Sequence, residues 1–192
     1  MKKSFLLSIL IATAVIASFS FSAKKKEGES AKIQWLTIQE AEKLNKQKPK
    51  KIMIDLYTSW CGWCKELDAK TFTDPKVIDY INENFYAVKF NAERTDTVIF
   101  NSDTLVNLGV PFGKRAAHQF TMKYGSINGS VGYPTIAYID GTNKKIEAIA
   151  GYFDATQFMI PLHYINDNVY KTKTFETYYN EEMTKTQGSG QK

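Results

Sequence analysis

The sequence predicts an α/β fold with a central mixed β-sheet flanked by helices. The segment Lys51–Tyr57 is an unbroken apolar run rich in β-branched residues, typical of a central strand that is covered on both faces. The pattern turns helical from Cys64 to Phe72, as in a strand followed by a helix. Later, two strand patterns, Thr135–Ile139 and Lys145–Ala150, are separated by a turn, so the second strand returns antiparallel to the first.

The first 22 residues have the pattern of a secretory signal peptide. Two lysines precede an apolar run over residues 5–17, and small residues follow, with cleavage expected after Ser20 or Ser22. The run is too short to span a bilayer comfortably, although an uncleaved anchor is the alternative. We therefore expect a periplasmic or otherwise extracytoplasmic protein without stable membrane insertion.

The remaining chain divides into a polar leader over residues 23–34, one domain over residues 35–170, and a C-terminal extension and tail over residues 171–192. The chain without the signal peptide is long enough to form one hydrophobic core. The formal net charge of +5 falls by two when the signal lysines are removed, and the excess is scattered. We therefore expect no nucleic-acid partner.

Capping signals place the helices between the strands. Thr37 and Glu40 match a capping box, which predicts a first helix that ends before Pro49. The pair Asp74-Pro75 reads as an N-cap and first helical residue, ahead of a strand over residues 85–91.

Two more helices are predicted near the C-terminus. Asp154 and Gln157 match a capping box that begins the last core helix. Residues 174–183 have the pattern of a short additional helix.

The only two cysteines, Cys61 and Cys64, stand two residues apart where the strand meets the helix. There the free amides and the helix dipole favour a thiolate, the nucleophilic form in disulfide exchange. A purely structural disulfide would close a very short loop and restrict the unfolded chain little. A zinc site needs further ligands, but His118 and His163 are far apart in the sequence, and haem attachment needs His where Lys65 stands. Redox chemistry is the favoured interpretation.

The segment Asp55–Lys65 resembles the active-site segment of the thioredoxin family, which typically reads Trp-Cys-Gly-Pro-Cys-Lys. The segment Gly132–Thr135 resembles that family's cis-proline loop, and the resemblance covers about residues 35–165, with one inserted segment. Together with the signal peptide, residues 71–75 look like the exported thioredoxin-like proteins of Gram-negative bacteria. The resemblance implies a thioredoxin-like fold, no metal or organic cofactor, and partners that are disulfide-containing or dithiol proteins. If the protein is a reductase, a membrane electron donor would supply its electrons.

The resemblance also implies roles for four residues. Cys61 would be the exposed nucleophile and Cys64 the resolving thiol. Asp55 matches the family's buried carboxylate, which would carry the proton of Cys64 with a pKa raised by burial. Lys89 matches the lysine beside that carboxylate. The alternatives are an Asp at a frayed strand end and a strand lysine that extends to water.

Substrate contacts are expected on both sides of the cysteines. Trp60, Gly62 and Trp63 would form an apolar docking surface, although Trp60 packed into the core is the alternative. Tyr133-Pro134 should be a cis peptide that offers the backbone of Tyr133 to an extended substrate. Trp63 replaces the usual proline, so its amide could donate to the Cys61 sulfur and make the pair more oxidising than thioredoxin, whose potential is about −270 mV.

Residues 94–129 are longer than the corresponding connection of the family, and we call them the insertion. They predict a hairpin with strands over residues 97–100 and 104–107, a loop over residues 109–113, and a helix over residues 114–124. The insertion would either select substrates or only decorate the sheet edge.

The favoured function is a thiol-disulfide oxidoreductase that acts as a reductase. An oxidant or an isomerase uses the same cysteines. A thioredoxin-like binding, chaperone or redox-sensing module without turnover is the alternative from another class. A copper or zinc carrier that uses the two thiols ranks third.

Overall fold

The computed structural model describes residues 32–189. The predicted signal peptide, most of the predicted leader and the last three residues lie outside this range. Among the described residues, no helix combines the length and apolar character needed to cross a membrane.

The described chain forms a mixed five-stranded sheet, a separate hairpin and six α-helices. The strands are β1 (Trp35–Leu36), β2 (Lys51–Tyr57), β3 (Phe85–Asn91), β4 (Val98–Phe100), β5 (Asp103–Leu105), β6 (Thr135–Ile139) and β7 (Lys145–Ala150). The helices are α1 (Ile38–Gln47), α2 (Gly62–Glu66), α3 (Pro75–Asn84), α4 (Gln119–Gly125), α5 (Ala155–Asn166) and α6 (Phe175–Ser189). This architecture confirms the predicted α/β class with a mixed central sheet.

The strand that leads to the cysteines lies at the centre of the sheet. The strand order is β1-β3-β2-β6-β7, with β2 parallel to β3 and antiparallel to β6. The register places Asp55 beside Lys89 of β3 on one side and Ile136 of β6 on the other. This central position fits the apolar run that predicted the strand.

Side chains of β2 alternate between two cores. Ile54 and Leu56 belong to a cluster on one face of the sheet. Met53 belongs to a second cluster on the opposite face, together with Leu67 and Phe72 from the segment that follows the cysteines. By the two-residue period of a strand, Asp55 lies on the same face as Met53.

The predicted helix caps are confirmed. The Thr37 hydroxyl accepts from the Glu40 amide at 3.2 Å, and the Glu40 carboxylate accepts from the Thr37 amide at 2.7 Å. Asp154 and Gln157 make the same reciprocal pair at the start of α5. Asp74 caps α3, and Pro75 is its first residue.

Strand β1 was not predicted. The two residues pair in parallel with Ala87 and Val88 of β3. Just before β1, Ile33 is buried, and the side chain of Asn82 bonds the backbone of Lys32 and Gln34. The last residues of the predicted leader are therefore fixed to the domain.

The helix predicted from Cys64 to Phe72 changes type along its length. After α2, residues Leu67–Thr71 form one π-helical turn, closed by the Phe72 amide, which donates to the Leu67 carbonyl at 2.9 Å. The wider turn buries Thr71, whose hydroxyl donates to the Phe153 carbonyl at 2.7 Å.

The hairpin of the insertion is confirmed with a two-residue turn, Asn101-Ser102, in which both residues have positive φ. The helix predicted over residues 114–124 was too long, because α4 begins at Gln119. His118 fixes this start: its ring nitrogen accepts from the Phe120 amide at 3.0 Å, and its own amide donates to the Ala92 carbonyl at 2.8 Å. A three-residue 3₁₀ turn, Val110–Phe112, lies in the predicted loop.

Helix α6 is longer than the predicted helix over residues 174–183. It packs through aromatic side chains onto the core, where Phe175 contacts Phe153 and Tyr164, and Tyr178 contacts Tyr164.

Candidate active site

Cys61 and Cys64 are joined in a disulfide at the start of α2. Cys61 is the N-cap residue, and its Sγ accepts a hydrogen bond from the Cys64 amide at 3.0 Å. The amide that donates is therefore not that of Trp63, as the sequence had suggested. An N-cap side chain accepts from the second or third residue of its helix, and here the third residue does so. Because the Cys64 amide is present whatever residue stands at position 63, replacing proline with Trp63 does not create this contact.

The two cysteines are covered, whereas the neighbouring tryptophans are exposed. Cys61 and Cys64 are each 4% exposed, so the expectation of an exposed nucleophile is wrong for this disulfide form. Trp60 is 54% exposed and Trp63 is 60% exposed, so Trp60 is not a core residue. Gly62 lies between them at the first position of the helix and is also exposed.

The buried acid of the central strand forms an ion pair with a lysine of the neighbouring strand β3. Asp55 is 1% exposed, and one of its carboxylate oxygens lies 3.1 Å from the Lys89 Nζ. The other oxygen is buried without a hydrogen-bond partner among the described residues. Burial raises the pKa of Asp55 to about 6, against the opposing effect of Lys89. The alternative of an Asp at a frayed strand end is therefore wrong.

A second acid, Asp68, completes this charged cluster and was missed in the sequence. Lys89 also pairs with the Asp68 carboxylate, which is partly exposed. Burial lowers the pKa of Lys89, but the negative charges of Asp55 and Asp68 outweigh it, so the net pKa is raised. Asp68 follows Cys64 by four residues, a spacing that places both on one helical face and was the available signal.

Aromatic rings surround the ammonium group of Lys89. It lies 5.2 Å from the ring centroids of both Trp35 and Tyr57, and 5.7 Å from that of Phe72. These contacts favour the charged ammonium in a partly buried position. Trp35 comes from β1, so the unpredicted strand contributes to the environment of the pair.

The Tyr133-Pro134 peptide is cis, as predicted. Pro134 is buried, and its carbonyl accepts from the Gly151 amide at 2.9 Å. The ring of Tyr133 makes an edge contact with Trp60, with 5.9 Å between centroids. The loop thus lies against the residue that precedes the first cysteine.

Each exposed tryptophan has its own neighbours. The Trp60 indole nitrogen donates to the Glu93 carboxylate at 2.9 Å, and the Arg115 guanidinium lies 5.0 Å from the Trp60 ring centroid. The Trp63 ring lies 5.3 Å from that of Tyr152. Two exposed aromatic side chains therefore flank the disulfide in separate environments.

The two histidines lie in different parts of the domain. His118 is buried at the start of α4, and the ring of His163 packs on Tyr80. Over residues 32–189, no group of three or more His, Cys, Asp or Glu side chains is arranged to hold a metal ion.

Comparison with known proteins agrees with this geometry. The family model of a thioredoxin-like domain matches residues 38–166. The thiol:disulfide interchange protein DsbD of Yersinia enterocolitica is 25% identical over 160 residues, which are 80% of this chain and 24% of that protein. The chain thus spans about a quarter of the length of this curated relative.

Two solved structures share the fold. A thioredoxin-fold protein from Helicobacter pylori aligns with a TM-score of 0.52 and 20% identity, over 70% of this chain and 85% of that one. A DsbH oxidoreductase aligns with a TM-score of 0.51 and 15% identity, over 82% of this chain and 97% of that one.

Proposed function

Because the chain belongs to the thioredoxin-like family, we propose that it exchanges disulfides with protein partners outside the cytoplasm and acts as a reductase. The observation that carries this proposal is the Cys61–Cys64 disulfide at the start of α2, flanked by two exposed tryptophans. A purely structural crosslink would not need exposed apolar side chains on both sides. The curated relative is named a thiol:disulfide interchange protein, which supports the same chemistry here.

The reaction begins from the dithiol form. The Cys61 thiolate attacks one sulfur of the partner's disulfide, a bond forms between them, and the partner's other sulfur leaves as a thiolate. The hydrogen bond from the Cys64 amide and the start of α2 favour the negative charge on Cys61 before attack. The product is a mixed disulfide between protein and partner.

The second step releases the partner. The Cys64 thiol loses its proton and attacks Cys61, the mixed disulfide breaks, and the partner's second sulfur leaves as a thiolate. The partner gains two electrons, and the Cys61–Cys64 disulfide forms again. Asp55 is the proposed proton acceptor because its pKa of about 6 allows it to be ionised yet basic near neutral pH. Lys89 is the proposed positioning residue that holds this carboxylate.

Turnover as a reductase requires an electron source. A membrane donor that reduces the Cys61–Cys64 disulfide would return the protein to its dithiol form. The predicted signal peptide supports an extracytoplasmic location, where such a donor and disulfide-containing partners meet. No resident metal or organic cofactor takes part in the proposed reaction.

The test is the equilibrium of the cysteine pair of the full chain against a graded glutathione buffer, read by mass after thiol trapping. A reductase should have a midpoint near that of thioredoxin, about −270 mV. A midpoint near −120 mV, the range of strong oxidants, would overturn the reductase assignment.

A trapping experiment separates an enzyme from a binding module. Cys64→Ser removes the resolving thiol, so it should accumulate a mixed disulfide with a disulfide-containing protein, whereas Cys61→Ser should not. If neither the wild type nor Cys64→Ser exchanges with any disulfide, yet a partner is still retained after both cysteines are replaced, the enzyme proposal is wrong and a binding module is favoured.

A further inference from the structure

A groove lies beside Trp60, and neither Trp63 nor Tyr152 is among the residues that line it. We call it the Trp60 groove. It has a volume of about 540 Å³ and is bounded by Ser59 and Trp60 of the active-site loop, Glu93 after β3, and residues of the insertion. Most of its lining comes from the insertion, which is longer than the corresponding connection of thioredoxins. The groove therefore depends on the part of the domain in which this chain departs from thioredoxin.

The groove carries more positive than negative charge. Its charged lining residues are Glu93, Lys114 and Arg115. Arg115 lies 3.4 Å from the Glu93 carboxylate, which also accepts from the Trp60 indole, so Glu93 is already neutralised. Lys114 is exposed and has no ion pair among the described residues. A negatively charged group would be attracted to this end of the groove.

The wall of the groove is held in place by internal hydrogen bonds. The buried Asn107 amide donates to the carbonyls of Arg94 and Ala116, at 3.1 and 2.8 Å. Its side-chain oxygen accepts from the Gly109 amide at 2.9 Å. The Lys114 amide donates to the Gly109 carbonyl at 3.0 Å, so the loop closes on itself. A binding surface held in this way loses little conformational entropy when a partner docks.

The same loop presents apolar side chains to solvent. Leu108, Val110 and Phe112 are all exposed, and Val110 lines the groove. Val110 and Trp60 line the groove together, next to the charged residues, and Leu108 and Phe112 lie beside Val110 in the sequence of the loop. Exposed apolar side chains grouped in this way mark an interaction site more often than isolated ones do.

We propose that the Trp60 groove binds an extended segment of the partner protein that carries an acidic side chain within a few residues of its reactive cysteine. The inference rests on the proposed function. The acidic side chain would pair with Lys114, and neighbouring apolar side chains would pack on Val110 and Trp60. Because the groove is lined by Ser59 and Trp60 and not by Trp63, we expect the preference for the acid on one side of the partner's cysteine only.

The experiment uses symmetric disulfide dimers of a single-cysteine peptide. Glu, Gln or Lys is placed at each of the three positions on either side of the cysteine. The reduced full-length protein is mixed with each dimer, and the oxidised fraction is followed by acid quenching and mass measurement. Each reaction converts one dimer into two peptide thiols and forms the Cys61–Cys64 disulfide.

The wild type should reduce the best Glu peptide about two- to fivefold faster than its Gln counterpart, as expected for an exposed ion pair. The Lys peptide should be slowest, and 0.5 M salt should bring the rates together. Lys114→Glu should reverse the order. Lys43→Glu makes the same charge change on an exposed residue of α1 away from the groove, and should keep the wild-type order.

Three outcomes would overturn the inference or its basis. Equal rates for Glu, Gln and Lys peptides would show that the groove proposal is wrong, while the proposed reduction of disulfides would still stand. No reduction of any peptide by a protein with a confirmed dithiol would sink the proposed function itself. If oxidised glutathione shows the same loss of rate in Lys114→Glu as the Glu peptides, the occupant is a small acidic disulfide and the assignment to a polypeptide segment is wrong.

Discussion

At the scale of single residues, the ion pair of Asp55 and Lys89 decides how the stability of the domain responds to pH between 4 and 6. Asp55 has lost almost all contact with water, which disfavours its charged form. The nearby charge of Lys89 offsets only part of this cost, so the pKa of Asp55 is raised to about 6. The folded protein therefore binds a proton at Asp55 more tightly than the unfolded chain does. This residue contributes stability below its ordinary pKa of 3.8, and that contribution is lost as pH rises to about 6.

Asp55→Asn should stabilise the disulfide form at neutral pH. The change keeps the size of the side chain and removes a buried charge, so the free energy of unfolding at pH 7 should rise by about 1–3 kcal/mol. The difference between variant and wild type should shrink as pH falls from 6 to 4, where the wild-type carboxyl is protonated. Urea unfolding at pH 4, 5, 6 and 7 measures both effects.

Asp68→Asn is the companion variant for this prediction. Burial is the largest cause of the raised Asp55 pKa and the charge of Asp68 adds to it, so Asp68→Asn should move the pH dependence to lower pH without abolishing it. A constant difference between Asp55→Asn and wild type across these pH values would show that the Asp55 pKa is not raised.

At the scale of elements, the insertion is a fixed structure beside the active site. Gly109 lies where a β-carbon would come within 2.5 Å of the Lys114 carbonyl oxygen and 2.7 Å of the Ala116 side chain. Its φ of −79° is accessible to other residues, so the requirement for glycine comes from close packing and not from backbone strain. The loop can close at this point only without a side chain.

Gly109→Ala should therefore destabilise the insertion. Overpacking of this kind costs about 1–3 kcal/mol, which thermal or urea unfolding can measure. Gly132→Ala is the control, because a β-carbon there meets no atom within 4 Å. If Gly109→Ala and Gly132→Ala have the same free energy of unfolding, the loop accommodates the extra β-carbon at little cost. The Trp60 groove is then not held in a fixed shape.

The elements also show what the sequence predicts well. Strand β2, the helix caps and the hairpin depend on local patterns, and the structure has them where those patterns stand. The start of α4 could not be predicted from the local sequence. It depends on the hydrogen bond from the His118 amide to the carbonyl of Ala92, a residue distant in the sequence. Strand β1 is only two residues long, too short for a periodic signal, and forms because β3 offers an open edge.

The candidate site divides in the same way. The cysteine pair, Asp55 and Lys89 follow from strand and motif positions, and the register of β2 and β3 brings the two charges together. Asp68 and the Trp60 groove depend on a π-helical turn and on the path of the insertion. The four-residue spacing between Cys64 and Asp68 was a signal for that acid, whereas the path of the insertion leaves no periodic pattern in the sequence. The chemistry was therefore predictable, and most of the environment of the cysteines was not.

At the scale of the whole molecule, the C-terminal helix belongs to the core that supports the active site. Phe153 and Tyr164, which contact α6, lie in the same cluster as Leu67 and Phe72, which belong to the segment that follows the cysteines. The Phe153 carbonyl also accepts the hydroxyl of Thr71 from the π-helical turn. The family match ends at residue 166, so α6 lies outside the matched residues and yet packs on the core of the matched domain.

This shared core predicts that α6 and the active site unfold together. Phe175→Ala removes ring contacts with Phe153 and Tyr164, and should lower the free energy of unfolding by about 1–3 kcal/mol because the side chain is half-buried. Far-UV circular dichroism and tryptophan fluorescence should shift by the same amount in urea, since a cooperative domain has one transition. Glu176→Ala, at the exposed neighbouring position, should shift neither. A separate early transition seen by circular dichroism alone, with the fluorescence midpoint unchanged, would mean that α6 is an independent appendage and that its aromatic contacts do not support the active site.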